Sequence, residues 1–231
     1  MKAVPSLSFA DNNICDSANG QSIPNVSSLY KIEASACGAY LLSTLYVKTA
    51  SSLKTEIDGV WLIEPRVFSD ERGYFMEAYK KEEFDANIGP VDFIQDNESK
   101  SSFGVLRGLH YQKGEYSQAK LVRVLKGKVL DVAVDLRKSS PTFGKYICVL
   151  LSEENKRQFF IPRGFAHGFA VLSEEAVFTY KVDNKYAPQA EASILYNDET
   201  LGIDWPLADS QMVLSAKDRE GTAFKDAANF E

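Results

Sequence analysis

A chain of 231 residues with 45% hydrophobic and 25% charged residues has the make-up of an ordinary folded protein, long enough for one large domain or two small ones. Its net charge of −6 speaks against nucleic-acid binding across the surface as a whole. Cys15, Cys37 and Cys148 are odd in number, far apart and without CxxC spacing, which argues against a disulfide scaffold or a zinc knuckle and fits a reducing, cytoplasmic compartment.

Residues 1–52 are rich in Ser, Ala and Asn, poor in charge and without a sustained period. They read as an N-terminal extension lacking order, or a start assigned too far upstream, ahead of one domain over 53–231. Met1 to Ala10 makes a poor signal peptide. The longest uncharged run, Ala34 to Val47, is too short for a bilayer and is broken by polar residues, so no membrane association is expected.

From Gly59 the text turns to β. Gly59–Phe68 and Gly73–Tyr79 flank a turn at Ser69–Gly73, Lys80–Ile88 predicts a short helix closed by Gly89-Pro90, and Val91–Glu98 predicts a strand. Leu121–Leu125 and Val129–Leu136 flank a hairpin turn at Lys126-Gly127-Lys128. In the second of these strands Leu130, Val132, Val134 and Leu136 alternate with Asp131, Ala133 and Asp135, the mark of one buried face. Lys145–Leu151, Arg157–Ile161, Phe165–Leu172 and Ala176–Val182 continue the series, and past Asp198 the pattern becomes irregular. Many short strands with hardly a helix between them predict an all-β antiparallel sandwich or barrel.

The chemistry centres on Gly104–Gln112, which holds His110, one of only two histidines. Imidazole moves protons well near pH 7, although a histidine hydrogen-bonded in a β core is the plainer reading. Arg107 lies three residues earlier, so on a regular strand the two side chains point to opposite faces. Gly108 between them lets the strand bend or another backbone come close. His167, in Ile161–Phe169, has glycines on both sides, and a small barrel brings such distant residues to one interior. The basic strip of Arg107, Lys113, Lys120, Arg123, Lys126 and Lys128 reads as a solvated face or as a groove for a small anion such as a diphosphate. Metal ligation is not expected, since the histidines are far apart, without His-x-His spacing or a nearby Glu.

Several stretches, in order, resemble the dTDP-4-dehydrorhamnose 3,5-epimerase family: Val105–Gln112, Asp131–Arg137, Ser140–Gly144, Ile161–Phe169, Tyr196–Asp198 and Leu214–Asp218. The resemblance runs from about Leu53 to Asp218 and does not extend to the N-terminal arm. It implies a cupin-type jelly-roll with a few short helices, working as a homodimer without metal or other cofactor. It also implies inversion of C3 and C5 of a dTDP-linked 4-keto-6-deoxyhexose, a step toward dTDP-L-rhamnose. Both carbons flank a ketone, so such a site needs a base, an acid on the opposite face and a cation for the enolate.

By motif position His110 is similar to the family's base and Asp218 to the carboxylate that orients it. Lys120 is similar to the cation near the enolate, and Tyr180 to the acid on the far face. Arg72 and Arg107 resemble nucleotide and sugar contacts, where a guanidinium fork suits phosphate oxygens. Glu77, Gln95, Asp96, Asn97, His167, Glu191 and Lys217 match further substrate-binding positions, and Tyr186 matches an aromatic stacked on thymine. The plainer alternatives are an exposed tail carboxylate for Asp218, an edge lysine for Lys120, a core tyrosine for Tyr180, a rim tyrosine for Tyr186 and solvated side chains for the rest. Two rival functions stand beside the double epimerase: a sister enzyme that inverts C3 only or shifts the ketone, and a non-catalytic sugar-binding protein. Tyr180 argues against the first, because a second inversion needs a proton donor on the second face, and the second has no need of His110, Asp218, Lys120 and Tyr180 together.

Overall fold

The strand predicted to have one buried face is buried on both. In the computed structural model, which describes residues 43–46 and 50–231, Val129 through Asp135 are all buried. Val129 and Ala133 pack between two sheets, while Leu130, Val132, Val134 and Leu136 pack under the C-terminal segment through Leu201, Trp205, Leu207 and Phe224. A third layer over the alternation explains how one strand can be covered twice.

The larger sheet has the spatial order β1 (Ser43–Tyr46), β2 (Ala50–Lys54), β3 (Trp61–Pro65), β11 (Gln158–Ile161), β8 (Lys120–Lys126), β13 (Glu175–Val182), β6 (Gln95–Ser102). The smaller runs β10 (Tyr146–Ser152), β9 (Lys128–Asp135), β12 (Phe165–Val171), β7 (Leu106–Gln112), β14 (Glu191–Ser193). All pairings within both sheets are antiparallel. Val122, Val124, Phe159 and Phe178 from the larger sheet meet Phe165, Phe169 and Val171 from the smaller to form the core between them. This is the expected all-β cupin-type jelly-roll. A separate hairpin, β4 (Val67–Asp70) with β5 (Gly73–Met76), stands apart from both sheets. The short helix α1 (Lys81–Asn87) covers the outer face of the larger sheet by setting Phe84 edge-on to Phe160, with ring centroids 5.2 Å apart. A one-turn helix, α2 (Ala216–Arg219), lies near the C-terminus.

Four expectations shift, the first being the hairpin across Gly127, since β8 and β9 are not paired and lie in different sheets. The boundary expected at Leu53 falls inside β2, which starts at Ala50 and pairs with β3. Most of the predicted arm, 1–42 and 47–49, lies outside the described residues. The strand predicted at 91–98 sits four residues later, because Val91 and Phe93 are drawn into the cluster around Phe84 while the polar run Gln95–Ser102 pairs along the whole of β13. That pairing is set by the partner strand rather than by β-propensity. Cys148 is disulfide-bonded, a bridge that the spacing of the three cysteines did not anticipate. Among the described residues, no helix is long and apolar enough to cross a membrane.

Candidate active site

Strand β7 sets the geometry. His110 pairs with His167 on β12, but the next aligned pair is Arg107 with Phe169, so three residues of β7 span what two residues of β12 span. That extra residue is a β-bulge, and it slips the alternation by one. Leu106 and Leu109, three apart, therefore both face the outer cluster. Arg107 and His110, also three apart, share the inner face, and the expectation that they oppose each other is corrected. Gly108 sits in the bulge at φ +136°, where a Cβ would lie 2.4 Å from Gly168 Cα. The close backbone approach anticipated at this glycine is thus present.

His110 Nε2 lies 2.8 Å from Asp218 Oδ1, an ion-pair approach without an aligned ring hydrogen bond. Asp218 is 4% exposed, not the tail carboxylate of the plainer reading. Ser215 caps α2 and donates its hydroxyl to Asp218 Oδ2 at 2.5 Å, and the Gly108 amide donates to Oδ1 at 3.0 Å. Burial alone would raise this carboxyl, but the contacts from His110, Ser215 and Gly108 outweigh it and hold it well below the usual range. An anion fixed in this way steadies positive charge on the imidazole as it forms.

Across the inter-sheet space, β13 and β8 present Tyr180 and Lys120. Tyr180 pairs in register with Asn97 on β6, which puts both on the inner face with Gln95, whose amide donates to Asn97 Oδ1 at 2.7 Å. Burial pushes the Tyr180 phenol up, with the neighbouring Arg107 opposing it. Arg107 itself donates to Ser101 Oγ at 3.2 Å. Burial pulls Lys120 down to about 8, against the support of Asp131 and then Glu191. His167 is 7% exposed, and its Nε2 meets both oxygens of Asp131 at 2.9 and 3.0 Å. Its ring lies nearly parallel to that of Phe178, and Phe178 in turn contacts Tyr180.

At the rim, Glu191 on β14 binds the Tyr186 hydroxyl at 2.9 Å and the Lys217 ammonium. Burial alone would raise the Glu191 carboxyl, but Lys217 and Tyr186 more than offset this and lower it. The buried Gln112 amide accepts from Ala187 N and donates to Lys185 O, so the residues on either side of Tyr186 are tied to β7.

Three expected binding residues are not brought to this space within one chain. Arg72 sits on the β4–β5 hairpin with its side chain 85% exposed and paired to Asp70. Asp96 points to the outer face and pairs with Lys181 at 2.9 Å. Glu77 lines an outer groove with Tyr79, Phe84 and Leu121. The sequence reading also missed Asp131, fully buried beneath His167. Its signal was present: an aspartate on an alternating strand with apolar neighbours has to find a partner once that face is buried. Among the described residues, no group of three or more His, Cys, Asp or Glu side chains is placed to hold a metal.

Comparison with known proteins bears on this arrangement directly. A family model described as dTDP-4-dehydrorhamnose 3,5-epimerase matches residues 54–226. The enzyme of that name from Shigella flexneri is 55% identical over 77% of this chain and 98% of its own. The crystal structure of the epimerase from Elizabethkingia anophelis superposes with a TM-score of 0.75 at 55% identity, covering 78% of this chain and 99% of the other. A Legionella pneumophila epimerase in complex with dTDP-4-keto-L-rhamnose gives a TM-score of 0.73 at 48% identity, over 80% of this chain and 94% of the other. With a matched model over most of its length and relatives covered almost end to end, this chain is an epimerase belonging to the dTDP-4-dehydrorhamnose 3,5-epimerase family.

Proposed function

We propose that the chain inverts both C3 and C5 of dTDP-4-dehydro-6-deoxy-D-glucose to give dTDP-4-dehydro-L-rhamnose, with His110 as the base. The observation that carries this reading is the convergence of His110–Asp218, Lys120 and Tyr180 on the facing inner surfaces of two sheets. His110 takes the proton α to the C4 ketone, and the C–H electron pair moves into the enolate. Lys120 balances the charge gathering on the C4 oxygen, while Asp218 balances the imidazolium. Tyr180 delivers a proton to the same carbon from the opposite face, which inverts it. Solvent then removes the proton from His110 and restores the one on Tyr180, and the cycle repeats at the second carbon.

Arg107 and Lys217 supply cations for the diphosphate, and Tyr186 offers an exposed ring for the thymine. Arg72 lies on a hairpin separate from both sheets and away from this space in its own chain. The hairpin that bears it exposes Tyr74 (57%) and Phe75 (65%), a surface suited to burial against a second copy. A homodimer in which each hairpin meets its partner fits both facts.

The test is incubation with the 4-keto sugar nucleotide in deuterated water, followed by NMR at both carbons. Deuterium is expected at C3 and C5, and His110→Ala is expected to abolish both. Exchange at C3 alone would assign the chain to a single-centre epimerase, and unchanged exchange in His110→Ala would remove His110 as the base.

A further inference from the structure

Strand β9 sends a carboxylate into the middle of the site. Asp131 is 0% exposed, between Val129 and Ala133 on the inner face. Nothing in the reaction cycle just described uses it. A buried carboxylate is expensive unless it is both hydrogen-bonded and neutralised. His167 provides the hydrogen bond, with one ring nitrogen at nearly equal distances from both oxygens, 2.9 and 3.0 Å. That is the geometry of an N–H donor facing an ionised carboxylate. The charge is left for another group to balance.

We propose that Asp131 is a positioning residue that acts through two neighbours: it is the buried counter-ion that keeps Lys120 cationic, and it fixes His167 as the neutral tautomer protonated on Nε2.

The surroundings support this division. Burial pulls both His167 and Lys120 toward their neutral forms, and Asp131 is the foremost carboxylate opposing that pull on each. Burial likewise pushes the Asp131 carboxyl up, with His167 and then Lys120 opposing. The other charges facing the group come from β7, β14 and α2. His110 and Lys217 both disfavour added positive charge, and Glu191 is already engaged by Lys217 and Tyr186. An ionised aspartate, a neutral imidazole and an ammonium sum to zero, so the buried carboxylate is not left uncompensated. Nε2–H directed at Asp131 leaves Nδ1 of His167 as an acceptor, suited to a sugar hydroxyl.

The inference rests on the proposed role of Lys120 in stabilising the enolate. Asp131→Asn separates charge from orientation, because the amide oxygen still accepts from Nε2–H while the negative charge is gone. Losing a nearby opposite charge lowers the pKa of an ammonium. The alkaline limb of kcat against pH, set by Lys120, is expected to fall by about one pH unit or more in Asp131→Asn, with KM little changed. Lys120→Met is the control. If Lys120→Met retains activity, the enolate role of Lys120 fails; if Lys120→Met is inactive and the limb in Asp131→Asn does not move, the counter-ion role of Asp131 fails. Should Asp131→Asn not fold, the unaltered enzyme labelled with 15N-histidine decides, since the chain has only two histidines. His167 is expected to hold its proton on Nε2 throughout the active pH range, and an imidazolium or an Nδ1–H tautomer would overturn the proposal.

Discussion

Replacing Asp218 by Asn keeps the shape of the His110 partner and removes its charge. Nε2 and Oδ1 are 2.8 Å apart. With each charge spread over its group, the centres lie about 4 Å apart, where a unit pair near a protein surface is worth about 4 kcal/mol. If that stabilisation is realised only as the imidazolium forms, its loss slows the reaction about 10³-fold. An orienting contribution comes on top: the matching substitution in a serine protease triad costs about 10⁴-fold. The assay is deuterium entry at C3 and C5 under saturating substrate, read beside a thermal melt. Asp218→Asn should melt below the unaltered protein, because a carboxyl held well below its usual range stabilises the fold in its ionised form, although its amide oxygen can still accept from Gly108 N–H. Asp218→Ala should lose a further 1–3 kcal/mol or so of stability by leaving that buried donor unpaired. Exchange in Asp218→Asn within tenfold of the unaltered enzyme at every pH would refute the assignment of Asp218 as the partner of the base.

Tyr180→Phe should keep deuterium entering the sugar through His110 while the doubly inverted product falls about 10²–10⁴-fold; product at the unaltered rate would reduce Tyr180 to a packing residue. Gly108→Ala should yield little folded protein, since its Cβ would fall 2.4 Å from Gly168 Cα, and a soluble variant with normal activity would deny the bulge its role. Leu53→Ala should lower stability by roughly 2–5 kcal/mol in a denaturant titration, because Leu53 belongs to the central core; no change would deny β2 a part in that core. Chelators should leave exchange intact, and a loss that added zinc restores would require a metal in the mechanism.

The fold was legible because strand periodicity survives in β8, β9 and β13, where apolar residues recur at every second position. It failed at β6, whose eight polar residues carry no strand signal and are held by pairing with β13. Motifs named the candidate site residues, but their relative placement was not legible. A spacing of three between Arg107 and His110 means opposite faces on a regular strand, and only the pairing with β12 reveals the extra residue that reverses this. Asp131 was seen merely as the polar half of an alternation, because whether that half meets solvent or a second sheet depends on residues far away in sequence. Arg72, Glu77 and Asp96 show the converse, since a motif names a residue without saying where in the fold its side chain will lie.

The meeting of Gly108 and Gly168 also limits how this sequence can change over time. A Cβ on Gly168 would lie 2.8 Å from Arg107 O and 3.0 Å from Gly108 Cα, so each glycine occupies the room that the other's side chain would need. Neither can mutate first without a clash, and mutating both together makes the clash worse. The two positions form a mutational dead end flanked by His110 and His167. Divergence toward other sugars therefore has to proceed through separate elements, such as the β14 rim, the loop bearing Tyr186 or the β4–β5 hairpin, while this crossing of two backbones stays as it is.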